Sequence, residues 1–233
     1  MSEPTVPEFE NPFETRAREY DAWFNVNAIT FRNEVDAVRS ILPERSDRRR
    51  WVEIGVGSGR FAEALRIPLG VEPASGMAAL ARERGIDVLS GTAESLPLAD
   101  ASCEAAFLIT SLCFIDDATA AFREASRILT SGGRIVVAFL PCDSPFGHVI
   151  AAARESDPFF RHARMWSRDE VVFALGEAGL RIERSVHTLT GEPKDWNTRI
   201  EAPSAGWIDG SFVVLRARKA TPTDAHQKPR EAG

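Results

Sequence analysis

The chain has 233 residues, 44% hydrophobic and 27% charged, the makeup of a folded domain, which excludes disorder throughout. At this length roughly 70% of the unfolded surface is buried on folding, so a core forms without disulfides or metal clips. Lys and Arg number 28 against 34 Asp and Glu, a net charge of −6, which argues against a sequence-independent nucleic-acid binder with its basic stripe.

Residues 1–14 are acidic and proline-rich, lack the basic and apolar regions of a signal peptide, and are expected to be a flexible tail. Tyr20-Asp21-Ala22-Trp23-Phe24 precedes the first predicted helix, in which Phe31, Val35, Val38, Ile41 and Leu42 form an apolar stripe ended by Pro43. The run Arg45, Arg48, Arg49 and Arg50 is broken by Asp47 and reads as a solvated edge. Strands are expected at 51–55, 67–72, 86–89, 103–110 and 135–140, with helices at 60–66, 75–85 and 118–129 between them. Ser75 can cap the second of these helices, and Gly85 suits its left-handed end. Ser167 and Glu170 form a capping box before Val171, and Gly179 closes that helix. Two more strands are expected at 180–189 and 211–218, and 220–233 is read as a second flexible tail. Strands alternating with helices predict an α/β, doubly wound sheet with right-handed crossovers. Three cysteines without CxxC spacing suggest reduced thiols in a cytoplasmic protein, and no apolar run approaches the 18 residues of a membrane span.

Chemistry is concentrated in Glu53-Ile54-Gly55-Val56-Gly57-Ser58-Gly59-Arg60-Phe61, glycines that follow a strand and open a helix. Glycine permits the tight turn and lets a ligand approach the backbone. A dinucleotide fingerprint would need Gly or Ala where Arg60 stands, which lowers a nicotinamide reading. Glu72, 17 residues beyond Gly55 at the end of the second strand, is placed to hold a ribose diol, or is a surface carboxylate beside the turn at Pro73.

These motifs resemble those of class I S-adenosylmethionine-dependent methyltransferases, of the small-molecule, type 11-like kind. Val52 to Phe61 is similar to the family's first motif, with Glu53 as its acidic lead, and Gly70-Val-Glu-Pro-Ala-Ser-Gly-Met77 to the second. Gly91-Thr92-Ala93-Glu94-Ser-Leu-Pro97 resembles the adenine-side loop, and Arg127-Ile-Leu-Thr-Ser-Gly-Gly133 the turn before strand five. Glu104 and Thr130-Ser131 depart from the usual Asp and Lys-Pro. The resemblance implies a Rossmann-like, seven-stranded, mostly parallel sheet with an antiparallel last strand. It also implies one domain over 15–219: a helical lid at 15–50, a cofactor-binding half at 51–140 and a substrate-side half at 141–219. S-adenosylmethionine would be held by Tyr20, Glu53, Gly55, Gly57, Gly59, Glu72, Pro73, Met77, Thr92, Ala93, Glu94 and Thr110. A cationic cofactor without phosphate calls for carboxylates rather than a basic cradle, in keeping with Glu53 and Glu72.

Methyl transfer needs alignment, desolvation and sometimes a base. Tyr20 lies in an aromatic segment that is either a lid or a hydrophobic anchor; His148 and His162 are candidate bases or packing residues. Cys142 after strand five is read as an idle thiol, because the basic surface expected around an RNA-methylating nucleophile is missing. The expected activity is methyl transfer to a small-molecule acceptor, with no nucleic-acid, membrane or metal partner. The alternatives are a cofactor-binding protein without transferase activity and, below it, an NAD-dependent oxidoreductase.

Overall fold

The computed structural model describes residues 11–44 and 46–221, so the expectations for 1–10 and 222–233 lie outside the described residues. The strands are β1 (Trp51–Ile54), β2 (Leu69–Val71), β3 (Asp87–Leu89), β4 (Cys103–Ile109), β5 (Leu129–Phe139), β6 (Leu180–Thr188), β7 (Ser204–Ala205) and β8 (Phe212–Lys219). They form one sheet in the order β3-β2-β1-β4-β5-β8-β6-β7. The first five run parallel, while β8 pairs antiparallel with both β5 and β6. The sheet therefore has eight strands, not seven. The extra one, β7, is two exposed residues paired with Val186 and His187, too short to carry an alternating pattern.

The helices are α1 (Pro12–Thr15), α2 (Ala17–Val26), α3 (Ala28–Ser40), α4 (Arg60–Leu65), α5 (Ser75–Glu83), α6 (Ala118–Ile128), α7 (Pro145–Ala153) and α8 (Arg168–Glu177). Strand periodicity sorts the core into two layers, as in any sheet covered on both faces. On β4, Ala106 and Leu108 face Phe122 of α6 and Leu175 of α8. Ala105, Phe107 and Ile109 face the other layer, with Val38 of α3 and Phe61 of α4. Glu104, at the solvent end of β4, accepts bonds from the Asp47 backbone N–H (2.7 Å) and Arg50 (3.2 Å), so it anchors the arginine-rich turn.

Residues 11–14, expected within the tail, are folded. Asn11 accepts from the Phe13 N–H at 3.0 Å and Pro12 occupies the first turn of α1, both good helix-start chemistry. Glu14 then accepts from the N–H (2.9 Å) and hydroxyl (2.7 Å) of Ser75 and from the Gly76 N–H (3.1 Å). Ser75 is thus the first residue of α5 rather than its cap; that function falls to a carboxylate from the opposite end of the fold. The Tyr20 segment is helical, as α2. Between α2 and α3, Asn197 accepts from the Ile29 and Thr30 N–H groups (3.0 and 3.3 Å) and donates to the Val26 carbonyl (2.9 Å). One side chain from a distant turn at Pro193–Thr198 caps both helices. The capping box at Ser167 and Glu170 forms as expected.

Candidate active site

Strands β1 to β3 wind one way from the sheet centre and β4 to β5 the other, so a crevice opens at the carboxyl ends of β1 and β4, the usual place for a ligand in such sheets. Gly55 and Gly57 line it with φ of +70° and +54°. A Cβ on Gly55 would sit 2.6 Å from Ser111 Cβ, so only glycine fits. Ser111 follows β4 and donates from its hydroxyl to the Ile54 carbonyl at 3.0 Å, tying the two strand ends together. Its neighbour Thr110 holds a positive φ of 53°, strain of the kind retained at ligand sites.

The crevice is a cavity of about 400 Å³. Every residue expected at the cofactor lines it except Gly59, whose backbone opens α4 and whose Cβ would meet Ala81 at 3.0 Å. Gly59 is a packing glycine. Glu72 accepts from the N–H groups of Gly57 (2.9 Å) and Ala74 (3.0 Å), closing the glycine loop onto the end of β2. Each of its oxygens keeps a lone pair for a ligand. Glu53 is 1% exposed and its Oε2 has no hydrogen-bond partner among the described residues. Burial first, and the Glu72 charge second, raise its carboxyl well above the ordinary range, against a bond from the Ala62 backbone. Burial also raises Glu72, opposed by the Ala74 and Gly57 N–H groups.

The roof comes from α1 and α2. Phe13, Tyr20 and Phe159 form an aromatic cluster with centroids 5.2–5.5 Å apart. Next to Tyr20, Asp21 bonds Arg60 at 2.7 and 2.8 Å and Arg84 at 2.9 and 3.1 Å. Burial opposes ionisation of Asp21, but the Arg60 and Ser58 hydrogen bonds and the arginine charges hold it at about 2. Arg60, which broke the dinucleotide pattern, is therefore the clamp between α2 and α4.

Among the candidate bases, His162 is exposed and lines the first cavity. His148 is exposed on α7 and lines neither cavity, which removes it from the site. The Tyr20 hydroxyl is raised by burial and by surrounding acidic groups, Cys113 and Glu34 foremost, so it stays protonated. Burial and the charges of Asp143 and Glu170 raise the Cys142 thiol, the reverse of an activated nucleophile.

A second cavity of about 630 Å³ adjoins the first and shares Tyr20, Phe24, Phe61, Thr110, Pro158 and Phe159 with it. Its polar residue of note is Glu34, absent from the sequence-based candidates. The signal was present: on α3, Glu34 falls between Phe31 and Val38 on the apolar stripe itself, where a carboxylate is out of pattern.

Comparison with known proteins agrees with this architecture. Residues 52–137 match the family described as "Methyltransferase domain". A Thermotoga maritima crystal structure, described as an SAM-dependent methyltransferase and possible histamine N-methyltransferase, superposes with a TM-score of 0.84 at 40% identity, over 91% of this chain and 100% of that one. An uncharacterized Methanocaldococcus jannaschii protein is 32% identical over 90% of this chain and 99% of its own length. An uncharacterized Mycobacterium tuberculosis protein is 33% identical over 90% and 75% respectively.

Proposed function

The chain belongs to the class I S-adenosylmethionine-dependent methyltransferases, and from that premise we propose that it methylates a small molecule bound in the second cavity. S-adenosylmethionine supplies a methyl group already activated by positively charged sulfur. The chain has to hold that cation, exclude water and align an acceptor.

The observation that carries the assignment of the first cavity is its pair of carboxylates. Glu53 and Glu72 are both buried, neither has an ion pair among the described residues, and one oxygen of Glu53 has no hydrogen-bond partner among them. Such groups destabilise an empty site and favour a cationic ligand. Glu72, fixed by Gly57 and Ala74, would receive the ribose diol. The Thr92–Glu94 loop would flank the adenine, and Gly55, Gly57 and Thr110 would admit the methionine part against the backbone. Pro73 and Met77 would pack beside the ribose and adenine, and Tyr20 would close over the ligand from α2. A pyrophosphate cofactor would meet repulsion from the same two acids.

A small acceptor is supported by the enclosure of the second cavity by α2, α3, α7 and the turn at Pro193–Thr198. Its volume of about 630 Å³ lies within the usual range for small-molecule sites. The description of the Thermotoga relative as a possible histamine N-methyltransferase points the same way. Titration calorimetry with S-adenosylmethionine and with NAD tests the cofactor, and S-adenosylhomocysteine release across a small-acceptor panel tests the reaction. Binding of NAD without S-adenosylmethionine would overturn the assignment.

A further inference from the structure

Glu34 lines the second cavity at 4% exposure, and its carboxyl group makes no hydrogen bond or ion pair with a described residue. Burial alone raises its carboxyl to about 8. A carboxylate in that condition is costly to retain.

Its surroundings offer no compensation from within the chain. The charged and titratable groups on the same lining are Glu19 and Tyr20 from α2, Asp157 from the loop after α7, and Lys194 from the 193–198 turn. Glu19 is engaged by Arg16 at 2.5 Å. Asp157 accepts the Phe159 and Phe160 N–H groups at 2.8 and 3.1 Å. Lys194, the single cation on the lining among the described residues, is exposed at the rim. The remaining walls are mostly apolar, aliphatic and aromatic, with Trp23 and Phe24 from α2 and Phe146 against Trp196 at 5.2 Å, and the polar Asn27, Thr30 and Asn197 among them. The indole N–H of Trp196 is already donated to the Thr190 carbonyl, so its ring meets the cavity as an apolar face.

We propose that the acceptor is an amine carried on an apolar or aromatic body, and that Glu34 pairs with its ammonium group and takes its proton. The inference rests on the methyltransferase reading above and adds the chemical class of the acceptor. Aromatic faces suit both the body and the cation, and an unpartnered carboxylate suits an N–H donor. An acceptor bearing phosphate or carboxylate would face repulsion from Glu34, Glu19 and Asp157. In the reaction the ammonium gives one proton to Glu34, converting carboxylate to carboxylic acid. The freed nitrogen lone pair forms the new N–C bond as the methyl carbon's bond to sulfur breaks. That bonding pair stays on sulfur, leaving neutral S-adenosylhomocysteine and a methylated ammonium product. The raised carboxyl makes Glu34 a stronger base than an exposed glutamate.

The test is calorimetry on the full chain saturated with S-adenosylhomocysteine, using arylethylamines with phenyl, indole and imidazole rings, each beside its alcohol and carboxylate counterparts. At least one amine should bind about tenfold or more tighter than its counterparts. Glu34→Gln should abolish that preference with S-adenosylhomocysteine affinity within about twofold of the parent, and Glu34→Asp should restore part of it. The parent's rate with that amine should rise with pH on a limb that Glu34→Gln lacks. Equal binding of an alcohol or carboxylate, no amine binding to the loaded protein, or a preference surviving in Glu34→Gln would each overturn the proposal. Failure to bind S-adenosylhomocysteine at all would instead overturn the methyltransferase reading.

Discussion

Glu72 uses one lone pair on each oxygen to hold the Gly57 and Ala74 N–H groups, so the same carboxylate carries the charge and braces the loop. Glu72→Gln removes the charge and keeps only one of the two loop bonds, because the amide NH2 puts a donor where an acceptor stood; S-adenosylhomocysteine affinity should fall by about 1–3 kcal/mol in calorimetry, and the melting temperature should fall with it. Glu34 makes the opposite kind of prediction, about stability. Its folded-state value of about 8 lies above the unfolded 4.5, so the folded chain resists releasing that proton. The associated stability is fully present below 4.5 and is lost as pH rises through 8. Glu34→Gln should therefore match the parent near pH 4.5 and exceed it by about 2–4 kcal/mol at pH 9 in denaturant titrations. A residue whose removal stabilises the fold is one retained for something other than folding. Glu72 was legible from sequence because a fixed distance from a glycine loop identifies it. Glu34 has no motif, only its misplacement on an apolar stripe.

At the level of elements, β1, β2, β4 and β5 and the helices between them were readable because each buries an apolar run whose period matches its own geometry. What escaped depends on partners far along the chain. The segment α1 carries good local signals in Asn11 and Pro12, yet its order comes from Glu14 reaching Ser75 and Phe13 packing on Phe159. In α2, Tyr20, Trp23 and Phe24 have helical spacing, but a single turn of aromatics does not distinguish a helix from an extended anchor. Asn197, which lines the second cavity, caps two helices across more than 160 residues. Helix α2 is pinned by Asp21 to Arg60 and Arg84, giving a prediction for the element as a whole. Asp21→Asn should speed amide hydrogen exchange in α2 and weaken S-adenosylhomocysteine binding at pH 7, by about 1–2 kcal/mol for a partly buried pair. The Asp21 contribution is present above the unfolded 3.8 and lost as pH falls through about 2, so parent and variant should converge there.

Over the whole molecule, the doubly wound half supplies a crevice at the strand-order reversal, and the added helices supply a chamber beside it. Tyr20, Phe24 and Phe159 belong to both spaces. A partition shared by two rooms cannot be braced from one side without being stiffened for the other. If a ligand stiffens that wall further, the first to arrive bears the entropic cost for both. The affinity of each ligand should therefore rise in the presence of the other, by equal factors in the two directions. Initial-rate plots should intersect, as for a ternary complex. The aromatic wall thus makes productive encounters depend on joint occupancy, and a cofactor held without an acceptor is held more loosely.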